Sequence, residues 1–380
     1  MPAHPATRIA DCFVDLVDPR VSRCRRHDLL DLVTIAVCAM ISGADTFVDI
    51  AAWGHAKRDW LTEWLVLPNG IPSHDTFGRV FARLDPVQFQ QGFLRLVQEV
   101  VAGAPAEAPT TTGVIAVDGK TVRRSGDRQT AQAPLHMVSA WATAHRLVLA
   151  QTAVAGKANE ITTLPDLLRQ FCLAEQVVTI DAIGCQTDLA AQIVAGKGDY
   201  VLALKANQEG LFDAVQDSFA IMAAPDARTA TVEKNHGRRE WRVCETIHDP
   251  AVIAWLDPAG RWAGLRSIAR VTATRQVTGQ EPTTAVRYYI SSLPGDARDI
   301  AVAVRSHWGI ENGLHWVLDM GFREDESRVR TGAAQENLTV VRKLGLALIQ
   351  HDPHRKTGVA ASRKRAGWDT DYLRYLLTRA

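Results

Sequence analysis

The stretch Val114-Ile115-Ala116-Val117-Asp118-Gly119-Lys120 is a short apolar run that ends in a carboxylate, a glycine and a cation. Short apolar runs bounded by turn residues are typical of buried β-strands. A second run, Val177 to Ile180, ends in Asp181. Divalent cations prefer oxygen ligands on a rigid scaffold, so two strands that each deliver an aspartate suggest a metal site. Alone, Asp118-Gly119 is more typical of an ordinary turn with surface arginines beside it.

The order of the elements around these two strands indicates the fold class. Further strands are predicted at 135–142, 147–154 and 200–204, with helices at 160–171 and 187–195. Three adjacent strands followed by helix, strand, helix and strand is the order of a mixed α/β sheet of ribonuclease-H-like type. We therefore expect an α/β protein with such a catalytic core.

The flanking segments have different patterns. The first hundred residues carry helical apolar stripes, with Ser73 as an expected N-cap, which fits either a DNA-binding helical domain or a bundle whose aromatic residues only form its core. The predicted organisation is an all-helical N-terminal domain (1–102), a linker (103–113), the first part of the core (114–230), a β-rich insertion (231–292), a helical completion of the core (293–350) and a basic C-terminal tail (351–380).

Charge and cysteine content narrow the class of protein. The 43 basic and 42 acidic residues nearly cancel, so any site for a polyanion must be local. One local excess lies at 342–380, with nine basic and three acidic residues, which fits a solvated or a phosphate-contacting tail. The six cysteines form no Cys-x-x-Cys pair, and the longest apolar run is too short to span a bilayer. We expect a soluble, cytoplasmic protein that does not enter a membrane.

A third candidate segment runs from His307 to Trp316. Helical spacing would align His307, Glu311 and His315 on one face. Two histidines that flank a glutamate at this spacing could bind zinc, but the pattern is not the His-Glu-x-x-His of a metalloprotease. The nearby acids compete for the role of a third carboxylate: Asp319, Glu324, Asp325 and Glu326.

Together these segments resemble the signature blocks of DDE transposases, and most closely the H-repeat-associated branch of bacterial insertion sequences. The blocks are 117–121, 180–186 and 307–316 with Leu318, Asp319 and Phe322 beyond, and the similarity extends over nearly the whole chain. One departure is that relatives carry an arginine four residues before the glutamate and a lysine seven after it, where this chain has His307 and Leu318.

The resemblance implies a ribonuclease-H-like core in which Asp118, Asp181 and Glu311 are the catalytic acids and hold two Mg²⁺ ions, with Mn²⁺ as a substitute. It implies DNA as partner, as transposon ends and target duplex, cleavage followed by strand transfer, and a homodimer or larger assembly. The residues expected to contact DNA are Lys120, Arg123, Arg124, Lys157, Lys205, Arg238 and His307. Two alternatives stay open: a metal-dependent nuclease without strand transfer, and a catalytically silent, transposase-derived DNA-binding protein.

Overall fold

The computed structural model describes residues 9, 11–102, 113–127, 129–154, 160–221, 225–235 and 237–378. The helices and strands that we number in chain order are α1 (Leu29–Ile41), α2 (Phe47–Ala56), α3 (Arg58–Leu61), α4 (His74–Phe81), α5 (Pro86–Ala102), β1 (Gly113–Thr121), β2 (His136–Ala142), β3 (Leu147–Val154), α6 (Glu160–Leu168), β4 (Gln176–Ile180), α7 (Thr187–Ala195), β5 (Asp199–Leu204), α8 (Glu209–Ile221), β6 (Ala227–Asn235), β7 (Arg238–Ile247), α9 (Pro250–Leu256), β8 (Ser267–Val277), β9 (Thr283–Ser291), α10 (Ala297–Ile310), α11 (Trp316–Phe322), α12 (Ala334–Gln350), α13 (Val359–Trp368) and α14 (Thr370–Thr378). Among the described residues, no helix combines the length and the apolar character that a membrane crossing needs.

Helices α1, α2 and α4 each begin after a residue whose side chain accepts hydrogen bonds from the free N–H groups of the first turn. Asp28 accepts hydrogen bonds from the backbone of Leu30 and Asp31 at the start of α1. Ser73 accepts one from Thr76 at the start of α4, which confirms the expected N-cap. Capping of this kind fixes where each helix begins, because the first turn has no intrahelical partners of its own.

These N-terminal helices share one hydrophobic core with the helices at the other end of the chain. Buried side chains of α1, α4 and α5 pack with those of α11, α12 and α14, including Ile35, Phe81, Phe322, Leu344 and Leu376. The segment 351–380 therefore contributes two helices to this core. Its Arg363 is 4% exposed and donates hydrogen bonds to the carbonyl oxygens of Met40 and Ala44 and to Asp45 Oδ1.

One sheet runs through the rest of the described chain, in the strand order β3-β2-β1-β4-β5-β9-β8-β7-β6. Strands β1, β4 and β5 are parallel, and β2 and β3 are antiparallel to their neighbours. All the remaining pairs are antiparallel. The predicted β-rich segment thus lengthens this sheet, because β9 pairs directly with β5. We call β6 to β9 the extension.

Helix α10 crosses one face of the sheet from the extension to β1. Its buried residues Ile300, Ala303 and Val304 pack on Cys244, Val271 and Tyr289 of the extension and on Val114, Val177 and Val201 of the parallel strands. The chain beyond α10 consequently reaches the sheet where β1 and β4 lie side by side.

Candidate active site

Asp118 and Asp181 lie next to each other on neighbouring strands. In the parallel pair β1 and β4, Val117 is opposite Ile180, so the following residue of each strand is an aspartate at the same edge of the sheet. Strand β4 ends there, and Asp181 Oδ1 accepts a hydrogen bond of 3.2 Å from the Ile183 N–H in the turn that follows. The two strands bring together the two acids that sequence spacing had put 63 residues apart.

Glu311 and His315 bound a single π-helical turn between α10 and α11. The Trp316 N–H donates to the Glu311 carbonyl oxygen five residues back, so this turn holds one more residue than an α-helical turn. Such insertions are frequent at functional sites. Glu311 is half-exposed, whereas His315 is buried, with 6% exposure.

Side chains of β1 and the π turn converge on a common point. Ligand atoms of Asp118, Glu311 and His315 all lie within 4.8 Å of one another. His315 Nδ1 is 3.5 Å from Asp118 Oδ2 and 3.9 Å from Glu311 Oε2. Asp181 is adjacent to this group in the sheet but does not belong to it.

The electrostatics of this cluster suit a cation. The pKa of Asp118 is raised to about 7, mainly by burial and also by the negative charges of Glu311 and Asp181. Burial lowers the pKa of His315 to about 3, helped by Lys343 and Lys120, so its imidazole is neutral and able to act as a ligand. Carboxylates crowded in this way are stabilised by a positive ion, and the oxygen and nitrogen donors present are ones that bind divalent metals.

His307 faces the acids. Its Nδ1 lies 3.0 Å from the hydroxyl oxygen of Thr179, two residues before Asp181. Burial lowers the pKa of His307, while the negative charge of Asp181 acts in the opposite direction. The structure therefore places this residue, expected to contact DNA, between α10 and β4 and beside the second acid.

The basic residues expected to contact DNA occupy different environments. Lys120 Nζ lies 2.7 Å from Asp319, 3.2 Å from Glu324 and 3.1 Å from Asp325, and its side chain is 11% exposed. Three carboxylates so close leave Lys120 little opportunity to meet a phosphate. The same contacts with Lys120 engage three of the four acids that compete with Glu311 for the role of third metal-binding carboxylate.

The other basic residues are more accessible. Arg123 is 82% exposed, with Nε 3.2 Å from Asp325 Oδ2, and Arg124 is exposed next to it. Lys205 is exposed after β5, at the same sheet edge as Asp181. Arg238 lies in the extension and pairs with Glu240 at 2.8 Å. Lys157 falls outside the described residues.

A buried pair behind Asp118 was missed in the sequence. His136 Nε2 lies 2.5 Å from Glu160 Oε1, and His136 Nδ1 lies 2.8 Å from the Thr121 hydroxyl. The pair packs against Gly119: a Cβ on that glycine would come within 2.6 Å of His136 Nε2 and 2.7 Å of Glu160 Oε1. The charge of Glu160 also contributes to the raised pKa of Asp118. A strand-initial histidine and a helix-initial glutamate carry no signal of this contact.

Comparison with known proteins gives a consistent result. The family model described as transposase DDE domain matches residues 109–348, and the one described as DDE_Tnp_1-associated matches residues 10–97. YncI of Escherichia coli O157:H7, provisionally named a transposase, is 36% identical over 357 residues, covering 93% of this chain and 90% of the relative. YhhI of Escherichia coli (strain K12), provisionally named an H repeat-associated transposase, is 34% identical and covers 92% of each.

A solved structure is more distantly similar. A piggyBac transposase synaptic complex with hairpin DNA aligns with 98% of this chain and 81% of its own, with a TM-score of 0.45 and 9% identity. This likeness is too remote to support an inference.

Proposed function

The chain belongs to the DDE transposase family, and we propose that it cuts DNA at the ends of an insertion sequence and joins those ends to target DNA in a metal-dependent reaction. The observation that carries the proposal is the convergence of Asp118 and Glu311 within 4.8 Å, with Asp181 directly after β4, the strand that pairs with β1. Carboxylates crowded at a strand edge are the arrangement that polynucleotidyl transfer with divalent ions requires.

The sheet supports a ribonuclease-H-like core. Three antiparallel strands, β3, β2 and β1, continue into the parallel strands β4 and β5, and both aspartates lie at one edge of that central part. We propose that Asp118, Asp181 and Glu311 hold two Mg²⁺ ions, for which Mn²⁺ can substitute. When bound, such ions activate the attacking oxygen and stabilise the leaving oxygen of an in-line phosphodiester displacement.

The protein's own contribution is to hold these acids and the DNA in place. Strands β1 and β4 fix two acids through backbone hydrogen bonds, and the π turn brings the third from a helix. We propose that Arg123, Arg124 and Lys205, exposed beside the strand edge, contact DNA phosphates. Joining two ends in one event requires both to be held together, so we expect a homodimer or larger assembly on DNA.

The proposal is tested with Asp118→Asn, Asp181→Asn and Glu311→Gln, which keep side-chain volume and remove a charge. Each should abolish Mg²⁺- or Mn²⁺-dependent cleavage of duplexes carrying the element's ends while the protein stays folded. Glu281→Gln, an exposed acid in the turn between β8 and β9, is the matched control and should cleave normally. Normal cleavage by the Glu311 variant would remove Glu311 from the site.

A second assay separates transposition from simple cleavage. Purified protein, Mg²⁺, labelled precut ends with a free 3′-hydroxyl and a supercoiled plasmid should give label covalently attached to the plasmid, without ATP, because one phosphodiester is exchanged for another. Cleavage of uncut ends with no joined product would indicate a nuclease. Specific end binding with neither activity would indicate a silent descendant.

A further inference from the structure

We propose that His315 is a direct ligand of the divalent cation, through Nδ1, so that the site is a mixed carboxylate and imidazole centre. This inference rests on the proposed function, since it concerns the same site. It adds a nitrogen donor, His315 Nδ1, to the oxygen donors of the three acids.

The distances fit two or more ligands on a single ion. Ligands that each lie about 2.1 Å from a small divalent ion are about 3 Å apart at right angles and about 4 Å apart when opposite. His315 Nδ1 lies 3.5 Å from Asp118 Oδ2 and 3.9 Å from Glu311 Oε2, inside that range. Both separations are longer than a good hydrogen bond, so direct contact among the three groups does not account for their arrangement.

The position of the His315 ring also suits a ligand. The side chain is 6% exposed, and its Nδ1 is the ring atom that lies nearest to Asp118 Oδ2 and Glu311 Oε2. A buried imidazole nitrogen that faces two carboxylates is a donor that a divalent cation between them can use.

An ion pair between a protonated His315 and Asp118 is the competing explanation. Asp118 and Glu311 face the imidazole and would favour such a pair, but the 3.5 Å from Nδ1 to Asp118 Oδ2 is longer than a charge-assisted hydrogen bond, and Lys343 and Lys120 place positive charge nearby. Lys343 Nζ donates to Ser139 Oγ at 2.8 Å, and Ser139 is paired with Asp118 across β1 and β2. The geometry therefore favours a cation between these groups over a direct ion pair, with Nδ1 presenting its lone pair to that cation.

Pulsed electron paramagnetic resonance of Mn²⁺ bound to the full-length protein tests the proposal directly. A coordinated imidazole couples its ¹⁴N nucleus to the Mn²⁺ electrons, so the wild-type complex should show this coupling. The coupling should disappear in His315→Asn and His315→Leu, and the Mn²⁺ dissociation constant should rise by at least about tenfold in the leucine variant. The matched control is His351→Gln, directly after the last residue of α12. In this variant the ¹⁴N coupling and the Mn²⁺ dissociation constant should both equal those of the wild type.

The outcome distinguishes this inference from the proposed function. A wild-type Mn²⁺ complex without ¹⁴N coupling overturns the ligand role of His315 even if no variant folds. So does coupling that persists in a folded His315 variant. If Asp118→Asn abolishes Mn²⁺ binding in either of these cases, the carboxylate site stands and only the histidine is excluded. If Asp118→Asn binds Mn²⁺ as tightly as wild type, the proposed metal site itself is refuted.

Discussion

Replacing Gly119 with alanine should damage both the stability of the protein and its metal site. The new Cβ would lie 2.6 Å from His136 Nε2, where an ordinary van der Waals contact begins at 3.4 Å. His136 cannot simply retreat, because its Nδ1 is held by Thr121. Either the buried pair of His136 and Glu160 separates, or β1 shifts and carries Asp118 with it.

The expected size of the effect follows from these two routes. Overpacking of a tight core costs about 1–3 kcal/mol, and a buried polar group that loses its partner costs a similar amount. Because either route costs this much, we expect the free energy of unfolding of Gly119→Ala to fall by about 1–3 kcal/mol. Weaker Mn²⁺ binding should accompany it, since Asp118 is the preceding residue.

Urea denaturation and Mn²⁺ titration of the same samples measure both effects. Gly210→Ala in α8 is the control: a Cβ there meets nothing within 4 Å, and alanine favours a helix, so stability should stay the same or rise by up to about 1 kcal/mol. In a Glu160→Ala background, Gly119→Ala should cost less, because one of its two clashes is gone. A Gly119→Ala protein within about 0.5 kcal/mol of wild type would refute the reasoning.

Two further predictions concern buried cations. Burial lowers the pKa of Lys343 from 10.5 to about 8, so between these pH values the unfolded chain binds more protons than the folded protein. The wild type should therefore gain stability relative to Lys343→Met, by up to about 3 kcal/mol, as the pH rises through this range. Denaturation of both proteins at pH 7.5 and 10 measures the gain, and a stability difference that does not change with pH would contradict it. Arg363→Ala should lower the free energy of unfolding by about 3–5 kcal/mol, because it removes a buried cation and leaves its hydrogen-bond partners unpaired. The control Lys364→Ala, at an exposed position, should stay within about 0.5 kcal/mol of wild type. Equal denaturation midpoints for the two variants would show that α13 does not depend on the Arg363 hydrogen bonds.

The sequence predicted the parts of the site that depend on local pattern. Apolar runs end at Asp118 and Asp181, and strands of this kind must lie in a sheet, so their proximity followed from periodicity and order. A β-rich segment was predicted at 231–292, but its first strand, which begins at Ala227, was not. Its continuity with β5 was not visible, since pairing between distant strands leaves no local mark.

Contacts across long sequence distances were beyond prediction. Lys120 was expected to contact DNA because it follows a strand among other cations, but its partners Asp319, Glu324 and Asp325 lie about 200 residues later. The π turn was equally hidden, because one inserted residue barely changes the apolar period of a helix. Helical spacing grouped His307 with Glu311 and His315, and only the structure indicates that Glu311 and His315 converge with Asp118.

Charge counting was a poor guide to exposure at the C-terminal end. Nine basic and three acidic residues between 342 and 380 fit a solvated tail, but Arg342, Lys343 and Arg363 are buried. The apolar residues Leu373, Leu376 and Leu377 follow helical spacing and were the more reliable signal, because burying them requires a packed helix.

The run of α10 across the sheet has a mechanical consequence for the site. Arg305 of α10 pairs with Glu233 of β6 in the extension, and the last residue of α10 directly precedes Glu311. Asp118 and Asp181 are thus anchored at the centre of the sheet, whereas Glu311 follows a helix that packs both on the parallel strands and on the extension. A displacement of the extension would therefore reach Glu311 through α10, which links the outer strands to the cluster.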